Sequence, residues 1–198
     1  MSLEGAAWRR FIVLGDAGAK GRGSARGRSS PVSWADRVAE TLRSARPDLA
    51  YLNLGRRGHS AAQVRAKQLA KALAFRCDLA AVVAGGHEAL RDPFDVDATE
   101  AELHRIVGPL RDSGADVITL GWYSPSLLAP ASREHTSGLR ERLRLLAERT
   151  REVALQHGAL HVDVAPGGNG QADVGDRELA AAVIRRLVSH LHTPRIPA

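Results

Sequence analysis

The chain has little of what builds a stapled, membrane-spanning or base-stacking protein. A single cysteine, Cys77, occurs in 198 residues, so no internal disulfide can form and the fold must stand on burial alone. A disulfide-framed secreted module is thereby excluded, and a reducing cytoplasm is the expected compartment. Aromatic residues make up only 4%, too few to offer single-stranded bases a stacking platform. Long apolar runs are missing as well. The one nearest the N-terminus, Phe11 to Leu14, leads straight into Gly15-Asp16, which suits neither a leader peptide nor a membrane span. Acidic residues are fewer than basic ones, 22 against 28, for a formal charge of +6. That balance invites a nucleic-acid partner through counterion release. The placement of the arginines argues against one: across 139–154 they stand beside glutamates at three- and four-residue spacing, the pattern of a solvated helix face.

What is present is an ordinary globular composition, 44% apolar and 25% charged, which excludes wholesale disorder, collagen-like repeats and a coiled coil. A chain of this length buries roughly 70% of its unfolded surface in one core, and a single domain over 1–198 is expected. Short β-branched apolar runs at Phe11–Leu14, Tyr51–Leu54, Asp78–Ala84, Ala115–Leu120 and His161–Val164 read as strands. Between them lie helical patterns. Ser33 opens WADRVAETLRSA, which Pro47 closes; Ser60 opens a helix to Phe75; Asp97 opens ATEAELHRIVGPLRDS; further helices cover about 137–156 and Arg177 to His190. Residues 17–32, rich in Gly, Ser and Arg, read as a loop. Apolar strands alternating with helices require a parallel sheet covered on both faces, so the expected fold is a three-layer α/β sandwich with a five-stranded parallel sheet in flavodoxin-like order. Ligands of such sheets sit outside the carboxyl ends of the strands. That rule nominates the loops 15–30, 56–60, 85–92 and 121–130.

In order, these loops read Gly15-Asp16-Ala17 with Gly21, Asn53-Leu54-Gly55-Arg56-Arg57-Gly58, and Gly85-Gly86-His87-Glu88-Ala89-Leu90-Arg91. Together with the flanking phrases SWADRVAETL and NLGRRGHSAAQVRAKQL, they resemble the SGNH (GDSL-type) hydrolases, in particular actinobacterial members, over nearly the whole chain. The resemblance implies an acyl-transfer pocket: a serine nucleophile, a histidine base, and an oxyanion hole of backbone amides and an asparagine. The chain departs from the pattern in three places. Ala17 stands at the nucleophile position, His87 at the asparagine position, and VAPGGNGQADVGDRELAAAV holds no histidine. If Gly175-Asp176 matches the family's Gly-His pair, the relay histidine and its aspartate fall near Gly170 and Gly167. Removing one unit of such a relay removes nearly all of its effect. Cys77 precedes strand three, at the far end of the sheet, and Ser24, Ser29, Ser30 and Ser60 have no evident base partner.

Among the groups that survive, His87 and Glu88 are adjacent at the carboxyl end of a buried strand. His87 reads either as an acid-base group or as a polar filler. Asp16 shapes the turn or acts as a carboxylate base, and His59 and Tyr123 are further catalytic candidates. Ala17, Arg57, Gly58, Gly86, Glu88 and Trp122 are expected to line the ligand. Lys20, Arg22, Arg26 and Arg28 make the entrance basic, suggesting an anionic or acyl, polyketide-like small molecule, or else a solvated loop. His104 reads as an exposed partner of Glu100, His157 as a helix-end cation, and His190 and His192 as terminal. No cofactor is expected: the stretch GDAGAKGRGS lacks the Gly-Lys-Ser/Thr ending of a phosphate loop, and no ligand spacing specifies a metal at His59, His87 and Asp16. Three readings remain open: non-hydrolytic acid-base chemistry on a small secondary metabolite, a ligand-binding pseudoenzyme, and an esterase or acyltransferase with a displaced nucleophile or a serine replaced by design at Ala17.

Overall fold

The computed structural model describes residues 3, 5–21, 32–121, 133–163 and 175–193, with backbone alone over 133–137. Five strands, β1 (Arg10–Gly15), β2 (Ala50–Asn53), β3 (Leu79–Val83), β4 (Asp116–Leu120) and β5 (Leu160–Val162), form one sheet. Every neighbouring pair is parallel and the order is β2-β1-β3-β4-β5. The helices are α1 (Ala17–Lys20), α2 (Trp34–Ala45), α3 (Ala61–Val64), α4 (Ala70–Phe75), α5 (Gly86–Ala89), α6 (Val96–Asp112), α7 (Arg133–Gln156) and α8 (Asp176–His192). A π-helical segment, Arg65–Leu69, joins α3 to α4.

Successive strand residues face opposite layers. Phe11, Val13, Leu79, Ala81 and Val83 pack under α2 and α8, whereas Ile12, Leu14, Ala80 and Val82 pack under α3, α4, α6 and α7. Both faces are therefore apolar and closed to water, which is the three-layer sandwich the alternation of elements demands. Each large side chain fully buried here, such as Phe11, Ile12 or Leu146, contributes about 1.5–3 kcal/mol relative to exposure.

Local signals set the helix ends. Ser33 caps α2 reciprocally with Asp36, each backbone amide meeting the other's side chain, and Arg46, ahead of Pro47, is extended. Three short pieces differ from the sequence expectation. Ala17–Lys20, read as loop, is a helical turn capped by Asp16. Gly86–Ala89 forms a second turn after β3. The helix after Ser60 is interrupted by the π segment, which turns Gln68 inward, leaving it 3% exposed. Each difference has the same cause: a turn of four or five residues is decided by tertiary hydrogen bonds rather than by propensity.

Candidate functional site

Two glycines bring the ends of β1 and β3 together. Gly15 has φ +145°, and a Cβ there would lie 1.8 Å from the Val83 carbonyl oxygen. Gly85 has φ +102°, and its Cβ would meet Leu146 and Thr99 at 2.8 and 2.9 Å. No other residue allows this approach. Asp16 follows, 1% exposed. Its amide donates to the Val83 carbonyl, its Oδ1 accepts from the Gly18 amide at 2.9 Å, and its Oδ2 accepts from the Gly86 amide at 2.9 Å. The carboxyl thus ties the turn after β1 to the turn after β3. Burial pushes its pKa up to about 7, with the Glu88 charge adding to the rise and the amides of Gly18, Gly86 and His87 opposing it.

Ala17, buried, opens α1. The peptide beyond it is held from both sides: the Trp34 indole donates to the Gly18 carbonyl at 2.9 Å, and the Asn53 amide donates to the Ala19 carbonyl at 3.1 Å. Arg57 reaches the Gly21 carbonyl at 3.2 Å. Gly58, with φ +79°, has open space around it. On the β3 side, His87 is half-buried, and its imidazole makes no hydrogen bond among the described residues. Glu88 turns away from it. Glu88 Oε1 accepts from the Ala61 amide at the start of α3, a place that favours negative charge, and its Oε2 is buried with no partner among the described residues. Arg142 fixes the far side of α5 by donating to the Ala89 carbonyl at 2.8 Å.

His59 reaches the same region through Gln68. Its Nδ1 lies 3.1 Å from Gln68 Nε2, which also donates to the Gly15 carbonyl at 3.0 Å, while Gln68 Oε1 accepts from the Gly15 amide at 2.8 Å. Since Gln68 Nε2 can only donate, Nδ1 of His59 is the acceptor. Burial and the charges of Lys67 and Arg56 lower the His59 pKa. Gln68 was not singled out from the sequence, and its only signal is a polar residue on the inward face of an otherwise apolar helix stripe.

A second polar chain also escaped the sequence reading. Thr119 on β4 and His161 on β5 are register partners, with Thr119 Oγ1 2.8 Å from His161 Nδ1 and His161 Nε2 3.1 Å from Asp163 Oδ1. Burial lowers the His161 pKa against the pull of Asp163. A neutral ring that donates from Nε2 to a carboxylate must accept at Nδ1, so the Thr119 hydroxyl donates. The order of groups is that of a hydroxyl-imidazole-carboxylate relay, but Thr119 is 1% exposed. Its hydroxyl is closed to an incoming carbonyl.

The remaining histidines sort differently from expectation. His104 lies 3.8 Å from Glu100, as its spacing predicts, yet its closer partner is His157, with Nδ1 2.9 Å from His157 Nε2. Cys77 is buried just ahead of β3, its thiol pushed up to about 11 by desolvation. Trp122, Tyr123, Arg22, Arg26, Arg28, Ser24, Ser29, Ser30, Gly167 and Gly170 lie outside the described residues. Among the described residues, no three His, Cys, Asp or Glu side chains converge as a metal would need, and no helix is long and apolar enough to cross a membrane.

Solved structures share this architecture. LAE5, an alpha/beta hydrolase enzyme from the metagenome of Lake Arreo in Spain, superposes with a TM-score of 0.68 at 16% identity, covering 95% of this chain and 97% of its own. Axe2, an acetylxylan esterase from Geobacillus stearothermophilus, gives a TM-score of 0.69 at 15% identity, covering 94% of this chain and 96% of its own. At such identity the likeness is one of fold. No curated protein matches the chain. The sequence itself, from β1 through the last turn of α8, matches the GDSL-like Lipase/Acylhydrolase family over residues 13–192, and the chain belongs to that family.

Proposed function

We propose that this member has lost ester hydrolysis and uses its pocket for non-hydrolytic acid-base chemistry on a small metabolite, such as a cyclisation, elimination or isomerisation. One observation carries the reading: the turn after β1 keeps its whole supporting frame, Gly15 against Val83 and Asp16 bonded to the Gly18 and Gly86 amides, while the residue it presents is Ala17. A methyl group cannot attack a carbonyl. His87, whose imidazole has no hydrogen-bond partner among the described residues, is the proton carrier in this reading. It would take a proton from one atom of the ligand and return it to another, and without a water-activating relay a reactive intermediate escapes hydrolysis. Asp16, with both oxygens on backbone amides, serves by fixing the two loops. The setting in this reading is secondary metabolism, on the resemblance and the arginine-rich composition, in a reducing cytoplasm, on the single cysteine.

A second reading, a pseudoenzyme that binds without chemistry, is favoured by one fact: His59 is held by Gln68 and Asp16 by amides, so neither is free to partner His87. Two assays separate the readings. 4-Nitrophenyl acetate should be hydrolysed no faster than in buffer; turnover lost in His161→Ala would instead locate a displaced relay at Thr119. Untargeted mass spectrometry of a source-cell extract should show a metabolite consumed by the protein and spared by His87→Ala. A metabolite retained but unchanged would favour the pseudoenzyme, and consumption unaltered in His87→Ala would remove the role given to that residue.

A further inference from the structure

Beside the β1 turn, on the α3–α4 side, lies a cleft of about 410 Å³ lined by Leu54, Arg56, His59, Lys67, Gln68 and Lys71. Its floor is polar and fixed: Gln68 is buried and bonded to both the amide and the carbonyl of Gly15. The Gly15 carbonyl also accepts from the Arg56 amide at 3.0 Å, so the loop that carries Arg56 and the π segment that carries Lys67 meet at one peptide. That peptide precedes Asp16-Ala17. The cleft therefore adjoins the turn that presents Ala17.

The charges of the cleft are unbalanced. Among the described residues, no carboxylate pairs with Arg56, Lys67 or Lys71, whereas their neighbour Arg65 is neutralised by Glu102 at 2.5 Å. Lys67 of the π segment and Lys71 of α4 both line the cleft, so like charges face one cavity. His59 lies within this field: burial lowers its pKa most, and Lys67 and Arg56 depress it further. An arrangement that repels itself around a preformed cavity, at a π segment of the kind found at functional sites, is relieved by an anion. Among the described residues no Phe, Tyr or Trp lines the cleft, so a base finds none of the large stacking platforms there. The guanidinium fork and two ammonium groups match a compact multivalent oxyanion better than a single carboxylate.

We propose that the cleft formed by Arg56, His59, Lys67 and Lys71 binds a phosphate or pyrophosphate group of a small-molecule ligand, anchoring it beside the β1 turn. The proposal rests on the reading above only for what the other end of that ligand undergoes; the anion site stands whether or not chemistry follows. The His59 ring, whose Nδ1 accepts from Gln68, carries its proton on Nε2 and can donate it to a seated oxyanion.

Inorganic pyrophosphate is the probe, titrated into the full chain by calorimetry and by 1H–15N NMR. We expect saturable binding with a Kd below about 1 mM, shifts centred on Arg56, His59, Lys67 and Gln68, and a raised His59 ring pKa. Lys67→Ala/Lys71→Ala should weaken binding about tenfold or more, and Arg144→Ala, on the exposed face of α7, should leave it unchanged. The cleft variant must keep the wild-type NMR spectrum elsewhere, and Lys67→Gln/Lys71→Gln serves if it does not. No saturation by about 10 mM, equal loss in Arg144→Ala, or malonate binding as tightly as pyrophosphate would each overturn the proposal. Tighter binding of a short oligonucleotide than of pyrophosphate would do the same, in favour of nucleic acid. His87→Ala should leave pyrophosphate binding intact, so failure of the acid-base reading and failure of the anion site are separate results.

Discussion

Asp16 concentrates the tension of the site in one side chain. Its two oxygens are bonded as a carboxylate's should be, yet the group sits where water cannot reach and near Glu88, so its pKa rises from the ordinary 3.8 to about 7. A carboxyl whose folded pKa is raised holds a proton in the folded chain that the unfolded chain has already released. The stability it contributes is therefore complete below about pH 4 and is lost as pH climbs to about 7. Asp16→Asn removes the titration but leaves one amide facing an NH2 group, at a cost of about 1–3 kcal/mol. Melting temperatures of both proteins between pH 4 and 8 should converge as pH rises, with a plateau above about 7.5; parallel curves would mean that Asp16 is ionised throughout. Ala17 admits a sharper test. Ala17→Ser restores the hydroxyl, and it should still not hydrolyse 4-nitrophenyl acetate above buffer, because the stretch 164–174 offers the new oxygen no histidine base. Appreciable turnover would show that a ring elsewhere, His87 or His161, arms it.

At the scale of elements, Gln68 shows how the π segment converts a helix into part of the site. The extra residue in the turn aims the amide at Gly15, where it satisfies a donor and an acceptor that no strand partner reaches. Gln68→Leu keeps the volume and leaves the Gly15 amide buried and unpaired, while the Gly15 carbonyl keeps the Arg56 amide, a loss of about 1–3 kcal/mol by urea denaturation. His59 should at the same time lose its fixed tautomer, visible in its ring 15N shifts. A loss under about 0.5 kcal/mol would mean that water replaces the amide. Much of this level was legible beforehand. Ser33 and Pro47 mark both ends of α2 because capping and backbone restriction are local, and the apolar runs locate every strand to within a residue or two. Illegible were the turns α1 and α5, the π segment, and the Thr119–His161 pair. Each is settled by contacts between residues far apart in sequence, such as the β4–β5 register, and single-sequence periodicity carries no information on register. In the site, the positions of Asp16, Ala17 and His87 at the strand ends followed from sequence order; that Glu88 would turn to the α3 amide did not.

The molecule as a whole divides its labour between the two ends of the sheet. At the carboxyl ends lie glycines whose approach no side chain would permit, a raised carboxyl and a basic cleft that no carboxylate pairs among the described residues. At the amino ends the opposite holds. Asp116, at the start of β4, accepts from the Trp8 indole at 2.9 Å, lies 3.3 Å from Arg111 of α6, and lies 3.5 Å from His190 of α8. It thereby joins the segment before β1 to both helical layers. Nearby, the Asp78 carboxylate accepts the Arg9 and Arg10 amides at 2.7 and 2.9 Å. If this division is real, damage to one end should not be read at the other. Asp116→Ala strands the indole N–H of Trp8, 5% exposed, and takes its carboxylate from Arg111, so it should lower unfolding free energy by about 2–4 kcal/mol. The urea midpoint should fall with an unchanged m-value, since the folded core stays the same. Asp116→Asn, which still accepts from the indole, should recover part of the loss. Under native conditions pyrophosphate affinity should stay within about twofold of wild type in both variants, because additivity holds for sites this far apart that share no partner. A parallel drop in affinity would show that the sheet transmits the loss from one end to the other.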